Sequence, residues 1–145
     1  MKKLIVCPKT FGNTYKVCDY MSRELGIELK VINSTTKINL EDYDAIIVAS
    51  GIYGNHPHKN ISNWINNIQS RNIKSNVKFY TFFTWFGRGK SDVDCFNEIK
   101  NLLEQKNIKL EDNYMKCFGG GMGFVRKSHP NQDDYNNVMQ WAKEL

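Results

Sequence analysis

The sequence predicts an α/β sandwich built on a parallel β-sheet. Two observations carry this reading. Short apolar runs rich in Val, Ile and Phe recur along the chain, as strands buried on both faces of a parallel sheet require. Between them lie segments whose apolar residues repeat at helical spacing. The resulting order is strand, helix, strand, strand, helix, strand, helix, strand, helix. The 145 residues are read as one domain, 1–145, long enough to bury a real core.

The first strand is 3–7 (KLIVC). Val17, Met21 and Leu25, with Cys18 beside them, mark the first helix. Residues 27–33 (IELKVIN) alternate apolar and polar, which suits a more exposed strand near an edge. The third strand, 44–50 (DAIIVAS), follows 34–43, where no crossover helix is visible. Ile61, Trp64, Ile65 and Ile68 mark the second helix, and 77–84 (VKFYTFFT) is the fourth strand. Phe96, Ile99, Leu102 and Leu103 mark the third helix, with Ser91 or Asp92 as its expected N-cap. The fifth strand, 108–118 (IKLEDNYMKCF), alternates less cleanly and runs into a glycine cluster. Tyr135, Val138, Met139 and Ala142 mark the last helix, with Asp133 and Asp134 in its first turn, where negative charge is favourable.

Composition narrows the function classes. Hydrophobic residues make up 41% and charged residues 24%, an ordinary globular mixture. No apolar run approaches the roughly 18 residues of a membrane span. The opening MKKLIV stops at Pro8-Lys9 without a small-residue cleavage site, so it reads as a strand, not a secretory signal, and the chain as cytoplasmic. Cys7, Cys18, Cys95 and Cys117 lie far apart with no C-x-x-C pair, which points to buried thiols and not to a disulfide framework or a zinc site. The net charge of +5 is spread along the chain and not gathered in a stripe, so nucleic-acid binding is not expected. Positive charge favours acidic proteins or anionic ligands, chiefly through the encounter rate.

Ligands of open parallel sheets bind outside the carboxyl ends of the strands, which directs attention to the loops after strands one, three and four. The first loop holds Thr10, Gly12, Asn13 and Thr14 at a helix N-terminus, where unpaired amides and the helix dipole favour an anion. Gly12 permits a tight turn, Thr10 and Thr14 offer hydroxyls, and Asn13 braces the loop or donates. The alternative is an ordinary Gly/Asn turn. No G-x-x-x-x-G-K-[ST] is present, which excludes a nucleotide triphosphatase loop. The second loop, SGIYGNHPHKN, places Tyr53 between Gly51 and Gly54. The third, TWFGRGK, places Trp85 and Phe86 before Gly87. Aromatics at the sheet edge are either core or a stacking surface for a planar ligand.

These loops resemble those of the flavodoxin family, and the resemblance spans nearly the whole chain. Lys9-Thr10-Phe11-Gly12-Asn13-Thr14 aligns without gaps with the family's [ST]-x-T-G-x-T loop, with Lys9 at the first hydroxyl position and Phe11 where Thr is common. ASGIYGNHPHKNISNWI is similar to the second flavin loop, FFTWFGRGKSD takes the place of the third, and HPNQDDYNNVMQWAKEL is similar to the final helix. The resemblance implies a three-layer sandwich with five parallel strands in the order 2-1-3-4-5 and helices on both faces.

It also implies FMN as cofactor. Thr10, Gly12, Asn13 and Thr14 would hold the phosphate, while Lys9 either adds a cation there or points into solvent. Tyr53 and one of Trp85 or Phe86 would flank the isoalloxazine. The peptides around Ile52, Tyr53, Gly54 and Asn55 and around Thr84 to Gly87 would meet its polar edge, and Ser50 and Gly51 complete the implied cofactor-binding set. The implied function is an electron carrier between redox partner proteins, with an acidic docking surface on the partner suggested by the basic charge. Family carriers are typically acidic, so this chain departs from them. An FMN-dependent oxidoreductase acting on a quinone or tetrapyrrole is the alternative; the chain is short and shows no substrate-binding insertion. A flavin-free interaction domain is the third reading, supported by Lys9 and Phe11.

Three features stay outside this scheme. His56 and His58 form an H-x-H with too few neighbouring ligands for a metal, and read as surface residues near the flavin. Arg88 and Lys90 are a docking patch or a solvated helix start. CFGGGMGF (117–124) lacks dinucleotide spacing and reads as a flexible, close-packed loop.

Overall fold

Five parallel strands form the sheet of the computed structural model, which describes residues 1–121 and 125–145. They are β1 (Lys3–Cys7), β2 (Glu28–Val31), β3 (Ala45–Tyr53), β5 (Lys78–Trp85) and β6 (Met115–Phe118), in the spatial order β2-β1-β3-β5-β6. With β4 (His56–Pro57) set aside, this is the expected order 2-1-3-4-5. That two-residue strand pairs antiparallel with the end of β3 and was not foreseen. Gly54 and Asn55 turn the chain there with φ of 54° and 70°, a two-residue hairpin turn that needs positive φ at both positions.

Among the described residues, four α-helices cover the two faces: α1 (Asn13–Leu25), α2 (Lys59–Asn66), α3 (Ser91–Glu104) and α4 (Gln132–Glu144). Alternation along the strands divides the core. Leu4, Val6, Ile46, Val48, Phe79 and Phe83 face α2 and α3. Ile5, Cys7, Ile47, Ala49, Tyr80 and Phe82 face α1 and α4. Each fully buried Phe of β5 contributes roughly 1.5–3 kcal/mol through removal from water. No helix of the described residues is long and apolar enough to cross a membrane.

Several expectations need correction. The fifth strand is shorter than 108–118: only Met115–Phe118 joins the ladder, while Leu110 bridges Phe79 separately. Glu111-Asp112-Asn113 interrupts the alternation between them and cannot line a buried strand. Strand two is trimmed to Glu28–Val31, and strand three runs on to Tyr53. Helix α3 is preceded by Lys90, so Ser91 and Asp92 lie inside the helix and neither caps it. Asp92 is instead drawn into the protein, where it accepts from Lys116 Nζ at 2.6 Å and from the Tyr114 hydroxyl at 2.9 Å. Residues 34–43 indeed hold no helix. All four cysteines are buried and free; burial pushes the Cys117 thiol up to about 12, so it stays protonated. Helix α4 is capped by Asn131 and Asp134 in a reciprocal capping box. Of the glycine cluster, residues 122–124 lie outside the described residues.

Candidate functional site

Helix α1 begins differently from its neighbours. His58 accepts from Asn60 N–H at the start of α2, and Asn131 caps α4. Helix α3 carries Asp92 and Asp94 in its first turn. At α1 the cap position is Gly12, with φ 91° and ψ −175°, a conformation open almost only to glycine. Among the described residues no side chain caps this helix, and no acidic residue stands in its first turn. Its first amides therefore point outward without a partner from a cap, beside the positive end of the helix dipole.

These amides open into a cavity of about 270 Å³. Lys9, Phe11, Gly12, Asn13 and Thr14 line it from the first loop, and Gly51, Ile52 and Tyr53 from β3. Thr84, Trp85 and Phe86 line it from β5, and Gly119 and Gly120 from the loop after β6. A second cleft of about 370 Å³ shares Ile52, Tyr53, Trp85 and Phe86, and adds Gly54, Asn55, Arg88 and Ser91. Tyr53 and Phe86 leave 46% and 42% of their surfaces exposed, a large apolar area to present to water. A larger cleft, of about 660 Å³, lies at the amino end of β1 between the ends of α1 and α4, away from these loops.

Not every residue read from the sequence reaches the cavity. Thr10 is exposed and does not line it. Ser50 is buried; its hydroxyl donates to Gly51 C=O at 2.6 Å and accepts from His58 N–H at 2.9 Å, pinning the β3–β4 hairpin. Gly87 lies behind the wall, where an added Cβ would come within 2.8 Å of Phe118. Thr14 and Thr84 share a hydrogen bond at 2.6 Å between their hydroxyls, tying the first loop to β5. One of the two protons is left over from that bond and is available to a ligand. The Asn13 amide donates to Gly120 C=O at 2.6 Å, so it braces the loop.

The Lys9 ammonium lies 4.6 Å from the Phe11 ring centroid and 5.7 Å from that of Tyr53, and its last carbon would touch a Cβ on Gly12 at 3.5 Å. It thus joins the first loop to the aromatic wall. Trp85 is held from behind: it stacks on Phe118 at 6.3 Å, and the Lys116 ammonium sits 4.4 Å from its ring. Phe86 is held by its carbonyl, which accepts from Arg126 Nε at 2.9 Å. A side chain at Gly121 would collide with the Phe86 ring. The exposed aromatic walls are therefore Tyr53 and Phe86, while Trp85 forms the floor between them.

A family model for the flavodoxin domain matches residues 5–127. The chain belongs to the flavodoxin domain family. An uncharacterized protein of Methanocaldococcus jannaschii is 28% identical to this flavodoxin domain over 144 residues, covering 92% of the chain and 89% of that protein. Among solved structures, a flavodoxin from the domain Archaea superposes with a TM-score of 0.71 at 13% identity, covering 99% and 95% of the two chains. A flavoprotein from Lactobacillus acidophilus, solved in complex with FMN, does so with 0.63 at 15%, covering 97% and 98%. At these identities the structural likeness is one of fold.

Gly119, Gly120 and Arg126 were missed as parts of the site. The Gly119-Gly120-Gly121 run carried the available signal, because consecutive glycines let two backbones approach closely. The H-x-H resolves into two roles: His56 Nδ1 pairs with Glu98 at 2.8 Å, and His58 caps α2 with its ring edge against Tyr53, centroids 5.4 Å apart. Among the described residues no His/Cys/Asp/Glu group is arranged to hold a metal ion.

Proposed function

We propose that this chain is an FMN-binding electron carrier that works between redox partner proteins in the cytoplasm. The observation that carries the reading is one cavity in which an uncapped, acid-free helix N-terminus meets two exposed aromatic walls. The residues fit the cofactor. Amides around Gly12, together with the spare Thr14/Thr84 proton, suit a phosphate. Tyr53 and Phe86 suit the faces of a planar ring, and the peptides of 51–55 and 84–86 offer donors and acceptors to its polar edge. Bound FMN supplies one- and two-electron redox chemistry that no side chain of the protein possesses. The chain's own contribution is to orient the ring, exclude water from its faces and set the local charge. Lys9, Arg88 and Arg126 favour added negative charge nearby, which raises the reduction potential relative to an acid-lined site.

The test is a fluorescence titration with FMN on the wild type and on Gly12→Asp. The wild type takes up FMN. The variant adds an anion at the phosphate end and forces a side chain into a glycine-only conformation costing about 1–3 kcal/mol, so it loses FMN while keeping the wild-type circular dichroism. Equal binding by the two proteins would refute the phosphate assignment. Failure of the wild type to bind would favour the flavin-free interaction domain.

One observation favours a second reading, an FMN-dependent oxidoreductase acting on a quinone or tetrapyrrole. The 370 Å³ cleft beside Tyr53 and Phe86 leaves room for a small substrate next to the ring site. Turnover of a quinone or porphyrinogen without any partner protein would support it over the carrier.

A further inference from the structure

We propose that the buried Asp92–Lys116 pair positions the ring site: Lys116 holds the Trp85 indole in place as its floor, and Asp92 neutralises the charge this brings behind the ring. The proposal rests on the flavin reading above and adds two residues that line neither cleft.

Asp92 has no local reason to be buried. An acid in the first turn of a helix meets the positive end of the dipole from the surface, as Asp94 does on this same helix. Asp92 is instead only 3% exposed, and taking a carboxylate out of water costs more than one helix end returns. Burial pushes its pKa up, yet the bonds from Lys116 Nζ at 2.6 Å and the Tyr114 hydroxyl at 2.9 Å outweigh that. They leave the carboxyl below its ordinary value, so it is charged. Tyr114 is itself anchored in the core, stacked on Phe96 with centroids 4.8 Å apart and tilted edge-on to Phe83 at 5.8 Å. A buried ion pair adds little stability over an apolar pair of the same size, so what it supplies here is a fixed geometry.

Lys116 carries that geometry to the site. It stands on the edge strand β6, where its side chain could extend into water. Its ammonium lies instead 4.4 Å from the Trp85 ring centroid while it reaches Asp92. The same indole is parallel to Phe118 within 10°, and the Trp85 carbonyl accepts from Gly119 N–H at 3.0 Å. Ring and backbone of Trp85 are thus both fixed from β6 and the loop after it. Trp85 lines the 270 Å³ cavity and the 370 Å³ cleft alike, so the tilt of its ring sets the room for a planar ligand in both. A lone ammonium at this place would also favour added negative charge on the ring, and Asp92 cancels that attraction.

Three variants test this: Lys116→Met, Asp92→Asn and the double variant. The double variant removes both charges and leaves the Tyr114 hydroxyl an acceptor, so no buried carboxylate is stranded and the fold is kept. Flavin-free protein is first titrated with acrylamide, a neutral quencher of indole fluorescence. Trp64 and Trp141 are buried, so the quenchable signal is that of Trp85. Met keeps the stem over the indole, and a change therefore reports freedom of the ring and not its uncovering. Lys116→Met and the double variant should be quenched about twofold more steeply than wild type, and should bind lumiflavin, the ring without its phosphate tail, about threefold more weakly. Asp92→Asn should raise the reduction potential of bound FMN, and the double variant should reverse that rise. Unchanged quenching and lumiflavin affinity in the double variant, with only a lower urea midpoint, would reduce the pair to a structural role and overturn the proposal. An unchanged potential in Asp92→Asn would overturn it too. A wild type that binds neither FMN nor lumiflavin counts against the cofactor reading, whereas the quenching comparison, made without flavin, still decides whether Lys116 holds Trp85.

Discussion

Lys9 occupies the position where the resembling loops carry a neutral hydroxyl, and its ammonium rests against Phe11 and Tyr53. Among the described residues it makes no salt bridge, so its charge is available to an anion at the α1 N-terminus. This placement favours the cation reading over one in which the side chain points into solvent. Lys9→Met keeps the aliphatic stem and removes the charge. The account predicts that FMN binding weakens by about tenfold, the effect of one charge-assisted contact, whereas riboflavin binding changes by less than about twofold. Dissociation constants for both ligands, measured at low salt, provide the check. A parallel loss for both would place the charge at the ring end, and no loss for either would return Lys9 to solvent. Phe11 joins this arrangement as the platform under the ammonium, a role that sequence alone could not distinguish from decay of the loop.

Among the elements, α2 connects the ring wall to pH. Burial, followed by the Lys9 and Lys59 charges, holds the His58 imidazole below its usual 6.5. Its Nδ1 accepts from Asn60 N–H at 3.0 Å, which requires that nitrogen to be unprotonated. A group whose folded pKa is depressed contributes stability that is present above its unfolded pKa and is lost as pH falls through the folded one. Stability should therefore fall below about pH 6.5 as the cap, worth on the order of 1 kcal/mol, is lost. His58→Asn keeps a capping side chain that does not titrate. Urea unfolding between pH 7.5 and 5 should show a shallower loss for the variant than for wild type; identical slopes would sever the cap from the titration. The elements themselves were legible because β1, β3 and β5 are continuous apolar runs and the helices keep strict spacing. The β4 hairpin was announced by Gly54-Asn55 but overshadowed by the reading of that stretch as a ligand loop. The start of α3 was misplaced because Asp92 serves tertiary pairing with Lys116 and Tyr114, which no local pattern records.

On the scale of the molecule, the parallel order puts every strand's carboxyl end on one side, and that arrangement alone assembles four distant loops into one site. The three loops seen in the sequence carry the exposed walls and the uncapped helix. The fourth, around Gly119, Gly120 and Arg126, was not legible as part of the site, because its bonds to Asn13 and Phe86 span 107 and 40 positions of chain. The central claim, that this end of the sheet holds FMN, is tested most directly by the visible absorption spectrum of the purified protein after incubation with FMN and gel filtration. The account predicts a yellow protein whose flavin absorbance corresponds to one FMN per chain. A colourless protein with all the flavin eluting free would contradict it.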